Sequence, residues 1–200
     1  DEKPTDEKPE DQEGGSTSGD GNVKFIDLGN HAWASEAINA LAEAGIIKGT
    51  SEVTFAPANN ITRADYALLL VRAFKLTSEN EENFGDVNPT DYFARELAIA
   101  RNEGIVGGIG DNKYAPRNTI TRQEMMVIMY RAPTKLGGEL ETGEIDHPDH
   151  DEVADYAKDA VRALIRSGLV NGKSGKIDGK ANTTRAEIAV LLKRVLDYAA

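Results

Sequence analysis

The chain has no cysteine, one tryptophan, and aromatic residues at only 6% of its 200 positions. Without cysteine there are no disulfide scaffolds, thiolate metal sites or cysteine nucleophiles. Neither a signal peptide nor an apolar run long enough to span a bilayer is present among these residues, and the first residue is Asp rather than Met. The chain is therefore expected to be a mature or excised part of something longer, without membrane insertion. Cations are scarce as well: 23 Lys and Arg against 34 Asp and Glu leave a formal net charge of -11. That balance opposes general affinity for nucleic acid, which needs clustered positive charge. An acidic protein can still hold an anion at one local site.

The remaining composition, 40% hydrophobic and 28% charged, suits one sizeable core or a few small ones sharing surface. Charge is concentrated at the start. Residues 1–20 carry eight acids against Lys3 and Lys8, more than half of the net excess. This stretch repeats "DEKP" and then turns to Gly and Ser, a composition that cannot bury enough apolar surface to offset chain entropy. Residues 1–22 are read as an acidic Pro/Gly/Ser linker.

Beyond it lies an internal repeat. "ITRADY" at Ile61 returns as "ITRQEM" at Ile120 and as "TTRAEI" at Thr183, so the motif arginines are Arg63, Arg122 and Arg185 at steps of 59 and 63. The same offsets align Phe25 and Asp27 with Phe84 and Asp86, Trp33 with Tyr92 and Tyr156, and "FAPANNITR" with "YAPRNTITR". The third copy has an irregular front end, "EIDHPDHDEVAD", in which Asp149 or Asp151 is the candidate match to Asp27 and Asp86. It also carries Gly179 and Thr183 where the others have proline and isoleucine. The copies are delimited as 23–80, 81–140 and 141–200.

Each copy reads as two helices. Apolar residues at helical spacing from Trp33, Tyr92 and Tyr156 run to Gly45, Gly104 and Gly168, which are placed to act as C-caps. A glycine-bearing loop follows, then Phe55, Tyr114 or Ile177, which plugs into the core or makes a brief strand. The second helix starts at a threonine: Thr62-x-x-Asp65, Thr121-x-x-Glu124 and Thr184-x-x-Glu187 each fit a capping box. The expected fold is mainly all-α, three helix-loop-helix repeats.

The motif arginine has no capping role. At the first helical position its charge faces the positive end of the helix dipole, at a cost of roughly 0.3–1 kcal/mol. Two readings account for its threefold occurrence. Helix N-terminal amides plus a guanidinium fork make a carboxylate or phosphate site; alternatively, each arginine pairs with a neighbouring repeat's acid, such as Asp27 or Asp86, as structural cement.

With "FIDLGNHAWASEAINALAEAGIIKG", "FAPANNITRAD" and their repetition, residues 23–200 resemble three consecutive S-layer homology repeats, the cell-wall anchoring modules of bacterial surface-layer proteins, surface-attached enzymes and scaffoldins. The resemblance implies a pseudo-threefold helical bundle with grooves between repeats. It also implies a non-catalytic extracellular module at the bacterial cell wall surface, without cofactor, that binds secondary cell wall polymer carrying pyruvylated N-acetylmannosamine. In such a module Arg63, Arg122 and Arg185 would meet the anionic ketal. Lys48, Gly49, Gly107, Gly108, Asn171 and Gly172 are expected to wall the grooves, glycine letting backbone approach a sugar. Trp33, Tyr92 and Tyr156 would offer sugar-facing rings or fill the core, and Asp27 and Asp86 complete the candidate ligand-binding set.

Other chemistries have weaker signals. His147, Asp149, His150 and Asp151 lie close in sequence, but Pro148 interrupts them and a solvated loop is the simpler reading. The segment from Asp111 begins like a calcium loop but has Pro116 where glycine is needed. No carboxylate pair stands in a recognisable glycosidase constellation. The alternatives to wall anchoring are a structural self-assembly or protein–protein module of a surface layer, and peptidoglycan binding without pyruvate.

Overall fold

Three short helices begin at the repeated threonines, and their N-terminal ends meet in a closed ring of backbone hydrogen bonds. The Ile61 amide donates to the Thr183 carbonyl, Ile120 to Ile61, and Thr183 to Ile120, at 3.0–3.1 Å. Around this ring the motif arginine amides repeat the cycle: Arg63 donates to Asn118, Arg122 to Ala181 and Arg185 to Asn59, each at 2.9 Å. The three copies are thus related by a pseudo-threefold axis through residues 61, 120 and 183. These contacts come from a computed structural model, which describes residues 25–135 and 139–199; the linker read at residues 1–22 lies outside them.

The helices are α1 (Ala32–Glu43), α2 (Arg63–Ala73), α3 (Ala94–Asn102), α4 (Arg122–Lys135), α5 (Lys158–Arg166) and α6 (Arg185–Tyr198). Among the described residues there are no strands, only isolated bridges, so the fold is mainly all-α as the sequence implies. The principal helix pairings run between copies rather than within them: α2 packs on α3, α4 on α5, and α6 closes the cycle on α1. A single helix pair has one face left uncovered, and only the neighbouring copy buries it.

Local signals explain the helix ends. Gly45, Gly104 and Gly168 adopt φ of 70°, 72° and 68°, and the residue after each donates back to Leu41, Ala100 or Leu164, which is the Schellman termination. At the other end, Thr184 and Glu187 make a reciprocal capping box, and Thr121 and Glu124 make the same pair of bonds. The Thr62 hydroxyl accepts from the Asp65 amide, but Asp65 is a methylene shorter than glutamate and does not return a bond to the Thr62 amide. The first copy therefore has half of the box the sequence suggests.

The core is continuous through all three copies. Phe55, Tyr114 and Ile177 are fully buried plugs, as the repeat predicts. The aromatics counted at the start of the first helices are not core: Trp33, Tyr92 and Tyr156 are 59%, 49% and 63% exposed. In α1 the buried stripe is Ala34, Ala37, Ile38 and Leu41, and Trp33 lies off that face.

Candidate functional site

Each plug is held by an aspartate from the front of its own copy. Asp27 accepts the Phe55 and Ala56 amides, Asp86 those of Tyr114 and Ala115, and Asp149 those of Ile177 and Asp178, at 2.7–3.2 Å. Ala56, Ala115 and Asp178 sit at φ of 52–56°, and the aspartate clasp holds that left-handed turn. Asp149, rather than Asp151, is therefore the third-copy counterpart of Asp27 and Asp86. Burial would raise the carboxyl pKa of Asp27 and Asp149, but the donated amides outweigh it and hold both below the ordinary aspartate value.

With these carboxylates taken, the arginines pair elsewhere. Arg63 donates from Nε to the Tyr114 carbonyl at 2.8 Å and from Nη1 to Glu124 at 2.6 Å. Arg122 repeats the arrangement with the Ile177 carbonyl and Glu187, both at 3.0 Å. Arg63 and Arg122 are buried, 5% and 6% exposed as residues. The pairing with Asp27 or Asp86 considered from the sequence is replaced by one with the capping glutamate of the next copy. One oxygen of that glutamate closes its own helix cap while the other takes the neighbour's arginine. The recurrent Thr-Arg-x-Glu is thus a motif whose cap and inter-repeat clamp share one side chain.

The third junction breaks the pattern. Asp65 cannot span the gap, and its oxygens accept from Thr62 and, at 2.6 Å, from the Tyr92 hydroxyl. Arg185 keeps the bond to its plug carbonyl, Phe55, and stacks 4.4 Å above that ring, as Arg63 does 4.6 Å above Tyr114, but its second partner is the Lys48 carbonyl rather than a carboxylate. Burial lowers its pKa, opposed by the nearby charges of Asp65 and Asp27. Burial, followed by the bond to Asp65, pushes the Tyr92 hydroxyl well above the ordinary tyrosine range.

The junction at Arg122 opens into a groove of about 480 Å³ to which all three copies contribute. His31 and Trp33 come from the first, Arg122 and Met125 from the second, and Asn171, Gly172 and Lys173 with Glu187 and Arg194 from the third. Four of the residues singled out in the sequence, Trp33, Arg122, Asn171 and Gly172, meet here. The others lie around the two related junctions. Tyr92, Lys48 and Gly49 flank Arg185; Tyr156, Gly107 and Gly108 occupy the corresponding places near Arg63. Tyr92 is tied to Asp65, and the Tyr156 hydroxyl accepts from Gln123 at 3.4 Å. Trp33, by contrast, makes no hydrogen bond among the described residues and keeps its exposed ring over the groove.

The groove cations Lys173 and Arg194 escaped the sequence reading. Arg194 donates to the Leu169 carbonyl at 3.2 Å, which holds it against the groove loop. A signal for it exists: Arg72, Arg131 and Arg194 each stand nine residues after a motif arginine, a second threefold arginine. His147 and His150 do not join a metal cluster. His150 accepts from Arg162, Asp149 is spent on its clasp, and no group of three or more His, Asp or Glu side chains is placed for a metal among the described residues. No described helix is long and apolar enough to cross a membrane.

This arrangement defines a class: a cyclic module of three helical repeats with a groove at one junction. The sequence profile of the S-layer homology domain matches residues 24–67, 83–126 and 148–189, and the chain belongs to that family. It is similar to the surface-layer 125 kDa protein of Lysinibacillus sphaericus, 30% identical over 82% of this chain and 14% of that protein. Comparable similarity links it to an amylopullulanase of Thermoanaerobacterium thermosulfurigenes, at 31% identity over 82% of this chain and 9% of the enzyme. The exoglucanase XynX of Acetivibrio thermocellus is also 31% identical, over 88% and 16%. The chain therefore spans less than a fifth of the length of these relatives.

Proposed function

We propose that this module fastens a larger secreted protein to the bacterial cell wall by seating an anionic, pyruvylated secondary cell wall polymer in the groove at Arg122. The observation that carries this reading is the pairing of an exposed, untied Trp33 ring with Lys173 and Arg194 across one groove. An indole face stacks on the apolar face of a sugar, and cations at the far wall meet a carboxylate. Arg122 enters already balanced by Glu187, so it orients the site and offers N–H groups while Lys173 and Arg194 carry the countercharge. Gly172 lets the loop backbone approach the ligand.

In this reading the module is non-catalytic, and residues 1–22 are a spacer to the rest of the parent protein. Repeats 23–80, 81–140 and 141–200 each contribute to the grooves. Occurrence of the family in both surface-layer proteins and polysaccharide-degrading enzymes supports a shared attachment role rather than a shared reaction. The junctions at Arg63 and Arg185 are related but unequal grooves, and the tie between Tyr92 and Asp65 makes the Arg185 junction the weakest for capture.

Calorimetric titration with a pyruvylated N-acetylmannosamine glycoside and its depyruvylated form tests the proposal. Binding should require the pyruvate and fall in Trp33→Ala and Lys173→Ala while the melting temperature is kept. A folded protein giving no heat with either sugar would sink it.

A further inference from the structure

Asn171 and Gly172 form the sole Asn-Gly dipeptide in the chain, and they lie on the wall of the groove. The fold demands the glycine: its φ is 65°, and a Cβ there would stand 2.7 Å from the Lys176 carbonyl oxygen. The fold does not demand the asparagine, since the corresponding residues are Lys48 and Gly107. Asn171 is exposed, and neither its side chain nor the Gly172 amide has a hydrogen-bond partner among the described residues. The loop is pinned just downstream, where Lys173 and Lys176 exchange backbone bonds of 2.7 and 3.0 Å. An unshielded carboxamide thus precedes an unbonded glycine amide that has no side chain to block ring closure.

We propose that Asn171 and Gly172 are a self-modification site, at which deamidation adds a negative charge to the wall of a cationic groove as the protein ages. The Gly172 nitrogen, losing its proton to hydroxide, attacks Cγ of Asn171. A C–N bond closes a five-membered succinimide, the bond from Cγ to Nδ2 breaks, and ammonia leaves with a proton from water. Water then opens either carbonyl, giving aspartate or isoaspartate. No oxidant, reductant or cofactor is needed. The product adds one negative charge to the groove that holds Glu187, on the same loop as Lys173. Isoaspartate also inserts a main-chain methylene beside the buried Val170. The consequence for an anionic ligand, a gradual loss of grip at this groove, rests on the function proposed above; the conversion itself does not.

The test is to hold the whole chain in mildly alkaline buffer at body temperature and follow residue 171 by peptide mapping that separates aspartate from isoaspartate. A free peptide of the same loop sequence runs alongside. Asn171 should convert first among the asparagines of the described residues and give both products, while an Asn171→Gln chain shows no change at that position. Asn171 still intact when half of the free peptide has converted would overturn the proposal. In a separate arm, Asn171→Asp should bind the pyruvylated glycoside several-fold more weakly than Asn171→Gln. Equal binding there would count against the groove as the anion's seat and leave the mass result untouched.

Discussion

Gln123 of the second copy lies on Gly179 of the third: a Cβ added to Gly179 would stand 3.4 Å from both Cβ and Oε1 of Gln123. The Gln123 carboxamide is buried there and accepts the Ala154 amide at 3.0 Å. Two departures from the repeat, glutamine where the others have Ala64 and Ala186, and glycine where they have Pro57 and Pro116, are therefore one contact seen from its two sides. The two deviating residues, in different copies, meet across a junction.

That pairing predicts coupling. Gly179→Pro alone should destabilise by about 1–3 kcal/mol through overpacking against Gln123. In a Gln123→Ala background the proline should cost less, with a coupling energy of about 1 kcal/mol in a double-mutant cycle read by denaturant titration. Strict additivity would contradict the contact.

Thr183 occupies the ring position held by Ile61 and Ile120, is fully buried, and its hydroxyl has no partner among the described residues. Thr183→Val keeps the shape and removes the unsatisfied group. We expect stability to rise by about 1 kcal/mol, measurable as a higher melting temperature; a decrease would mean that the hydroxyl is satisfied.

Breaking the two kinds of arginine junction should differ in effect. Arg63→Ala strands Glu124 beside a buried site and should cost about 3–5 kcal/mol. Arg185→Ala removes bonds to two carbonyls, and the nearby Asp27 and Asp65 keep their own donors, so its cost should be lower, about 1–2 kcal/mol. Equal losses in thermal or chemical unfolding would refute the distinction.

Acid sensitivity should follow the aspartate clasps. The folded pKa values of Asp27 and Asp149 lie below the ordinary aspartate value, so the stability they contribute is fully present above about pH 4. It is lost as pH falls through their folded values. Asp149→Asn should flatten that acid limb of the stability profile and lower stability at neutral pH. An unchanged limb would remove the clasp as its cause.

The sequence by itself determined what depends on near neighbours. Schellman glycines and threonine caps connect residues three to five apart, and the steps of 59 and 63 betrayed three copies of one helical unit. The recurrence of the motif arginine in each copy was equally legible, whereas the second series at Arg72, Arg131 and Arg194 stood out only once Arg194 was placed in the groove. Tertiary structure decided who meets whom. Arg63 finds Glu124 61 residues away, Arg122 finds Glu187 at a distance of 65, and Arg185 finds Phe55 at 130. It chose Asp149 over Asp151, turned Trp33 outward, and joined Gln123 to Gly179. Capping and termination follow from backbone hydrogen bonds within one helical turn, whereas the groove exists only because each copy must bury its open face on the next.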